Sequence, residues 1–373
     1  MPLTELSFLG LVATALITAL LISFVATPVV KSLAQKVGAV DVPKDGRRMH
    51  DHPIPRMGGL AIFLGFTLAV LVFADLTRQL QGMLLGAVII VVLGIFDDIY
   101  ALRASFKFVV QIIAALVAVL YGGNVISVLS NPNIFSSNPW WVLGPLSIPV
   151  TVLWIVAITN AVNLIDGLDG LACGVSTISS MTLLVIALTV AEPSIAILTA
   201  ALAGGCLGFL PYNLNPAKIF MGDTGSTFLG FVLAVVSIQG LFKLYAIMSF
   251  AVPFLVLALP IFDTCFAILR RVSHGQSPMT PDRGHLHHRL IDMGFSQKQA
   301  VAVLYVISAI LGLSAVVLAT TGVVKAMLFL LALCLCGALA GKVFLDHAQA
   351  TRGKDSPIGG NDNFFGEEDR SEK

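Results

Sequence analysis

The stretch LSFLGLVATALITALLISFVATPVV, residues 6–30, contains no charged side chain. A bilayer core about 30 Å thick needs roughly 20 apolar residues in a helix. The run is too long for the core of a signal peptide, no basic residue precedes it, and Lys31 follows it. These features predict a retained transmembrane helix whose N-terminus lies on the outer side.

Similar runs recur along the chain of 373 residues, of which 57% are hydrophobic and only 12% charged. Soluble proteins are far less apolar, so the composition predicts an all-α, polytopic membrane protein. We expect a single transmembrane domain over residues 1–345 and a disordered cytoplasmic tail over 346–373. The apolar runs predict about eleven transmembrane helices, approximately at 6–30, 57–76, 83–97, 107–122, 144–162, 170–190, 194–213, 225–241, 245–269, 299–320 and 323–345.

The positions of the basic residues predict the orientation of these helices. An outer N-terminus leaves Arg78, Lys243 and Lys325 outside and the other nineteen of the 22 lysines and arginines inside, a strong positive-inside bias. The same topology predicts a cytoplasmic C-terminus. Because the formal net charge is only +1, nothing indicates a nucleic-acid partner. Acidic residues play little part in the rule, yet eight aspartates fall on the cytoplasmic side: Asp97, Asp98, Asp166, Asp169, Asp223, Asp263, Asp282 and Asp292.

Two local patterns predict structure outside the membrane. The segment from Gly123 to Gly144 mixes turn residues with Val, Ile and two tryptophans, which indicates a short hairpin with an interfacial aromatic anchor. Ser296 and Gln299 have the spacing of a capping box at the start of the tenth span.

The first polar constellation is the pair Asp97-Asp98 at the end of the third span. Adjacent carboxylates at a membrane interface repel each other unless a cation or a donor offsets them. A divalent ion or a proton from a phosphate would do so. A solvated helix end is the alternative interpretation of the pair.

The second constellation lies between the fifth and sixth spans, over residues 160–170. Asn163 and Asp166 are three residues apart and share a face of a helical turn, and Asp169 follows three residues later. Their amide and carboxylate oxygens are typical ligands of hard cations. The alternative is a helix-turn-helix connection that uses aspartate as a cap.

The third constellation precedes the eighth span and centres on Asp223, which has a glycine on each side. An acidic residue at a helix N-terminus lies beside free backbone N–H groups that can also bind phosphate. Simple capping by Asp223 is the alternative. That reading does not account for Lys218 or for the asparagines at positions 213 and 215.

The fourth constellation is the long inner loop 270–298, with Arg283, His285, His287 and His288. The planar guanidinium group of arginine binds phosphate with two hydrogen bonds, and histidine can relay a proton. Zinc binding is a weaker interpretation because the histidine spacing is poor for three ligands, and a basic membrane-surface loop is the plain alternative. In the first inner loop, Lys44 and Arg56 are better ligand candidates than their neighbours, because adjoining prolines restrict where they point.

Together these motifs resemble the polyprenyl-phosphate N-acetylhexosamine-1-phosphate transferases. The resemblance covers the chain from Thr4 to about Phe344. The motifs that carry it are Pro-Arg-Met-Gly-Gly at 55–59, Phe-Asp-Asp at 96–98, Asn-Leu-Ile-Asp-Gly-Leu-Asp-Gly at 163–170, Phe-Met-Gly-Asp-Thr-Gly-Ser at 220–226 and His-Leu-His-His at 285–288.

The resemblance implies transfer of a sugar 1-phosphate from a UDP-N-acetylhexosamine to undecaprenyl phosphate, with release of UMP. It implies dependence on Mg²⁺, with Mn²⁺ as a substitute, and a site on the cytoplasmic side of the cell membrane. A homodimer is a candidate assembly. The segments 52–59 and 283–289 look like the N-acetylglucosamine branch. The branch that makes the muramyl-pentapeptide precursor, which has three consecutive histidines, is the alternative.

The residue roles follow from this resemblance. We expect Asp223 and Asn163 to bind Mg²⁺, with Asp98 completing or supporting the site, and Asp97 to accept the proton of the lipid phosphate or orient it. Asp166 and Asp169 would shape the nucleotide end of the site. The substrate-binding candidates are Lys44, Arg56, Asn160, Lys218, Arg283, His285, His287 and His288.

A cation-coupled transporter is the alternative from another class of protein, because acids within a membrane protein often mark ion pathways. Transporter sites lie near the bilayer midplane. The aspartates here gather at one face, which favours an interfacial enzyme.

Overall fold

The computed structural model describes residues 3–43, 52–130, 140–240, 251–276 and 284–321, with a few further positions up to residue 333. The chain divides into two compact units, residues 1–327 and 328–373, and only the first is described below. Twelve α-helices lie in these ranges: α1 (Leu3–Val37), α2 (Gly59–Phe73), α3 (Arg78–Tyr100), α4 (Ala104–Leu116), α5 (Ser147–Leu164), α6 (Leu171–Thr189), α7 (Pro193–Asn213), α8 (Gly222–Gly240), α9 (Ala251–Val256), α10 (Ala258–Ser273), α11 (Leu286–Asp292) and α12 (Gln297–Thr321).

Shorter elements join these helices. A π-helical turn, Val117–Tyr121, continues α4, and a 3₁₀ turn, Gly144–Leu146, precedes α5. Strands β1 (Val40–Asp41) and β2 (Ile54–Pro55) pair antiparallel. Strands β3 (Val128–Ser130) and β4 (Trp140–Val142) form a second antiparallel pair, which confirms the predicted hairpin.

Seven helices among the described residues are long and apolar enough to cross a membrane, which confirms an all-α, polytopic membrane protein. They correspond to the predicted spans 6–30, 83–97, 107–122, 144–162, 170–190, 194–213 and 299–320. The span 57–76 is the shorter apolar helix α2, and the span 225–241 is α8. Most of the span 323–345 and the whole tail lie outside the described residues. The count of eleven and the orientation of the termini therefore stay predictions.

The predicted span 245–269 is interrupted where the structure describes it. Helix α9 ends at Val256, and α10 begins at Ala258. Pro260 has no N–H group to donate to the carbonyl of Val256 four residues earlier. The hydroxyl of Ser179 on α6 donates to that carbonyl instead, at 2.9 Å. The missing N–H of Pro260 thus accounts for the interruption, and the hydroxyl of Ser179 replaces the lost hydrogen bond.

Helix α8 forms the centre of the bundle. Every one of its residues except Asp223 is buried, and it contacts α2, α3, α5, α6 and α7. Phe228 on α8 meets the ring edges of Phe63 and Phe66 on α2, with centroids 5.5 and 5.7 Å apart. The buried helix holds its first turn, and therefore Asp223, in a fixed place among its neighbours.

Two segments attach to the first turn of α8 through their backbones. The amides of Gly58 and Gly59 donate to the carbonyls of Phe220 and Met221, both at 2.9 Å, so the start of α2 runs along the approach to α8. On α3, a Cβ added at Gly94 would collide with the backbone of Thr224. The glycines of these motifs therefore permit a contact of backbone against backbone.

The contact at Gly94 leads to a testable prediction. Gly94→Ala should lower the stability of the folded protein by about 1–3 kcal/mol, because overpacking a tight contact forces neighbouring atoms to move. The apparent midpoint of thermal unfolding in detergent measures the change. Gly10→Ala on α1 is the matched control, because nothing lies within 4 Å of a Cβ at that position. Equal shifts of the two variants would contradict the argument.

Candidate active site

The carboxylate of Asp98, at the end of α3, caps the first turn of α8. It accepts hydrogen bonds from the backbone N–H groups of Asp223 and Thr224, at 3.0 and 3.1 Å, and from the hydroxyl of Thr224 at 2.6 Å. The expectation that these amides are free for phosphate is therefore wrong for two of them. The same bonds bring the Asp97-Asp98 pair next to Asp223.

Arg56 lies between two of these carboxylates. Its Nε atom is 3.3 Å from Asp98 Oδ1, and its Nη2 atom is 3.7 Å from Asp223 Oδ1. About a third of its side chain stays exposed (31%), so part of the guanidinium remains available to an incoming anion. This arrangement fits the predicted role of Arg56 as a ligand-binding residue.

Lys107 on α4 is a member of the cluster that the sequence analysis missed. Its Nζ atom donates to Asp97 Oδ2 at 2.9 Å and to Asp223 Oδ2 at 2.8 Å. The second oxygen of Asp97 accepts the backbone N–H of Leu102 at 2.8 Å. Lys107 lies ten residues after Asp97, at the start of the predicted span 107–122, where a lone lysine is typical of the membrane interface, so no local pattern identifies it.

A cavity of about 380 Å³ opens beside Asp223, a volume suited to a small organic ligand. Its wall combines carboxylates, amides, a cation and one aromatic ring, which suits a ligand that is polar and partly planar. The lining residues are Asp41, Arg56, Asn163, Asp166, Gly167, Leu168, Asp169, Asn213, Phe220, Gly222, Asp223, His288 and Gln297.

The turn after α5 supplies the acidic wall of the cavity. Asn163 donates its Nδ2 hydrogen to Ser226 Oγ at 2.8 Å, which leaves its amide oxygen for a ligand. Burial, together with the nearby charge of Asp223, raises the pKa of Asp166 to about 7. A cation that enters between these two carboxylates would favour the ionised form of Asp166.

The histidine loop packs onto that same turn. A Cβ at Gly167 would collide with the imidazole of His287, so the glycine permits this contact. Burial and the neighbouring His288 lower the pKa of His287 to about 4, so its ring is neutral at physiological pH. His288 lines the cavity, whereas His285 and His287 are buried behind it.

Three further predicted residues, Asp169, Asn160 and Lys218, lie in different surroundings. Asp169 lines the cavity, and its Oδ2 atom accepts from Asn215 Nδ2 at 2.9 Å and from the backbone N–H of Ala217 at 3.0 Å. Asn160 donates to Gln111 Oε1 at 2.6 Å, between α5 and α4. Lys218 is exposed.

Two candidates, Lys44 and Arg283, lie outside the described residues. The capping box is confirmed by reciprocal bonds between Ser296 and Gln299, at 2.9 and 3.3 Å.

Comparisons with known proteins indicate the class of protein that the chain resembles. Residues 80–241 match the family described as glycosyl transferase family 4. The chain is 45% identical over 312 residues to a protein of Bacillus subtilis (strain 168) named probable undecaprenyl-phosphate N-acetylglucosaminyl 1-phosphate transferase, with 82% of this chain and 85% of that protein covered.

Two further relatives have names of the same kind. A decaprenyl-phosphate N-acetylglucosaminephosphotransferase of Mycolicibacterium smegmatis is 38% identical, with 82% of this chain and 80% of the relative covered. An undecaprenyl-phosphate alpha-N-acetylglucosaminyl 1-phosphate transferase of Escherichia coli (strain K12) is 30% identical, with 80% and 82% covered.

The fold, the site and these relatives define a membrane-embedded sugar-1-phosphate transferase, and the chain belongs to glycosyl transferase family 4. The predicted family, and its N-acetylglucosamine branch, are thereby confirmed.

Proposed function

We propose that this protein transfers N-acetylglucosamine 1-phosphate from UDP-N-acetylglucosamine to undecaprenyl phosphate at the cytoplasmic membrane face. The products are undecaprenyl-diphosphate-N-acetylglucosamine and UMP. The observation that carries the proposal is the meeting of Arg56, Lys107 and Asp223 beside the cavity at the end of the membrane helices. The names of the relatives support the choice of donor and acceptor.

The donor set suits Mg²⁺ with help from the substrate. Among the residues that the structure describes, no group of three or more His, Cys, Asp or Glu side chains could hold an ion by itself. Mg²⁺ commonly binds through one or two carboxylates, keeps several waters and takes further ligands from substrate phosphates. Asp223 and the amide oxygen of Asn163 fit that pattern. When bound, Mg²⁺ would neutralise charge on the diphosphate of the donor.

The protein residues supply positioning and charge, which phosphoryl transfer needs most. An oxygen of the lipid phosphate attacks the phosphorus that carries the sugar, and the bond from that phosphorus to UMP breaks. Arg56 and Lys107 offset the negative charge of the two substrates. Asp97 orients the lipid phosphate or accepts its proton, and Lys107 links it to Asp223. Asp98 supports the site by holding the backbone of Asp223, since its own oxygens are already bonded.

The remaining assignments follow from the cavity wall. Asp166 and Asp169 shape the nucleotide end, and His288 reaches the diphosphate or the sugar. The bias of basic residues to one side supports a cytoplasmic site in the cell membrane.

A radiolabelled-donor assay with the purified protein tests the reaction. UDP-N-acetylglucosamine and undecaprenyl phosphate should yield a lipid-extractable labelled product and UMP in equal amounts. Chelation by EDTA should abolish the product, and Mg²⁺ should restore it, with Mn²⁺ as a weaker substitute. Activity that survives complete chelation would contradict the metal assignment.

The same assay separates the alternatives. UDP-N-acetylgalactosamine and UDP-muramyl-pentapeptide test donor choice, and preference for the latter would move the protein to the pentapeptide branch. Sealed inside-out vesicles should form the product from added donor, whereas right-side-out vesicles should not. Accumulation of labelled sugar inside vesicles without UMP release would favour a transporter.

A further inference from the structure

Asp263 on α10 binds the start of the histidine loop with both of its oxygens. Its Oδ2 atom lies 2.8 Å from His285 Nδ1, and its Oδ1 atom accepts the backbone N–H of Leu286 at 2.7 Å. Both Asp263 and His285 are buried (8% and 6% exposed). Aspartate is ordinarily ionised at neutral pH and then has no hydrogen to donate, so we expect Nδ1 of His285 to carry the hydrogen of that bond.

Helix α10 is built to make these contacts with one face. Phe262 and Phe266 flank this face and are exposed (67% and 59%), and the guanidinium carbon of Arg289 on α11 lies 5.4 Å from the ring centre of Phe266. About two turns after Asp263, the guanidinium of Arg270 donates to the carbonyl of Gly284 at 2.7 Å. The helix therefore holds the loop on both sides of His285.

From His285 the contacts continue to the cavity. Its ring stacks on that of His287, with centroids 5.7 Å apart and planes 7° apart, and His287 lies against Gly167. The ring of His288 is 4.3 Å from that of His287 and lines the cavity. The position of His288 thus depends on where α11 begins, and Asp263 binds the first backbone N–H of α11.

We infer that Asp263 is a positioning residue for the transfer reaction, which holds His285 and the start of α11 so that His288 faces the donor. The inference rests on the proposed function for its assay. In this role Asp263 acts on the reaction by holding the histidines in place and does not contact the substrate.

The test is Asp263→Asn with Asp292→Asn as a matched control, since Asp292 is an exposed carboxylate at the other end of α11. An asparagine has a single acceptor oxygen and an NH₂ group in place of the other, so one of the two bonds made by the separate oxygens of Asp263 is lost. Carboxylate partners of metal-bound histidines are typically worth about 10- to 100-fold in activity, and we take the same range for the partner of a positioned histidine. We expect kcat/KM for UDP-N-acetylglucosamine to fall by about that factor in Asp263→Asn and to stay unchanged in Asp292→Asn.

A double-mutant cycle separates positioning from general destabilisation. If Asp263 acts through His288, adding Asp263→Asn to His288→Ala should cause little further loss. The inference would be overturned if the loss of kcat/KM in the double variant equalled the product of the two single losses. It would also be overturned if Asp263→Asn were as active as the wild type.

A measurement on the wild type covers the case in which Asp263→Asn does not fold. In ¹⁵N-histidine spectra, assigned with His285→Gln, Nδ1 of His285 should be protonated, and an unprotonated Nδ1 overturns the inference. If the wild-type protein makes no lipid-linked sugar, the proposed function is contradicted. The spectrum still shows whether His285 donates a hydrogen bond to Asp263.

Discussion

Asp223→Asn should lower the rate of UMP release by about 10³-fold, the largest effect we expect from one substitution. Asp223 is the acidic residue that contacts both Arg56 and Lys107, and it lines the cavity. Asparagine keeps the size of the side chain but removes the charge that a divalent ion and both cations require. Single-turnover formation of labelled lipid product measures the loss directly.

The control for this variant is Asp75→Asn, which alters an exposed carboxylate near the opposite end of the bundle from Asp97 and Asp98. It should leave the rate unchanged. Near-normal turnover by a correctly folded Asp223→Asn protein would refute the metal-binding role.

Lys107→Gln should lower kcat by about 10²-fold, the second large effect. The ammonium group donates to Asp97 and Asp223 at 2.9 and 2.8 Å, and its loss leaves two facing carboxylates without their common cation. The phosphate of the acceptor would then meet more negative charge. The kinetic readout is kcat at saturating donor, with acceptor varied in mixed micelles.

Two comparisons sharpen the test of Lys107. Lys107→Arg keeps the charge but changes the geometry, so it should recover part of the rate. Lys36→Gln removes an exposed lysine in the last turn of α1 and should have no effect. Equal activity of Lys107→Gln and the wild type would show that the bridge is structural.

The helical fold was predictable because each span is a long apolar run, and length alone separates such runs from soluble segments. The break in the span 245–269 was not predicted. Pro260 lies in that span, but the hydroxyl of Ser179 that binds the freed carbonyl comes from another span, 77 residues away in the sequence. Proline is tolerated inside membrane helices when neighbouring helices satisfy the freed group.

The site was predictable where its motifs combine several polar residues. Asp97, Asp98, Asn163 and Asp223 were identified because acids and amides are costly near a membrane. The individual role of each of these residues was not predictable. Asp98 uses its oxygens on the amides of α8, and this is visible only once α3 and α8 are packed together.

No role was assigned from the sequence to single polar residues inside apolar stretches. Lys107 and Asp263 each lie in a segment that otherwise reads as membrane helix. A lone lysine near a span end commonly extends its charge to the interface, and so gives no sign of a buried partner. The partners of these two residues lie on other helices, at separations that no local pattern encodes.

The contact between Gly94 and Thr224 has a consequence for how this family can diversify. Because main chain meets main chain there, Asp223 keeps its place whatever side chains form the far wall of the cavity. A change of side chain elsewhere in the cavity wall then need not move Asp223. Substrate specificity and catalytic rate are therefore separable on such a scaffold, and the specificity can be redesigned while the rate is kept.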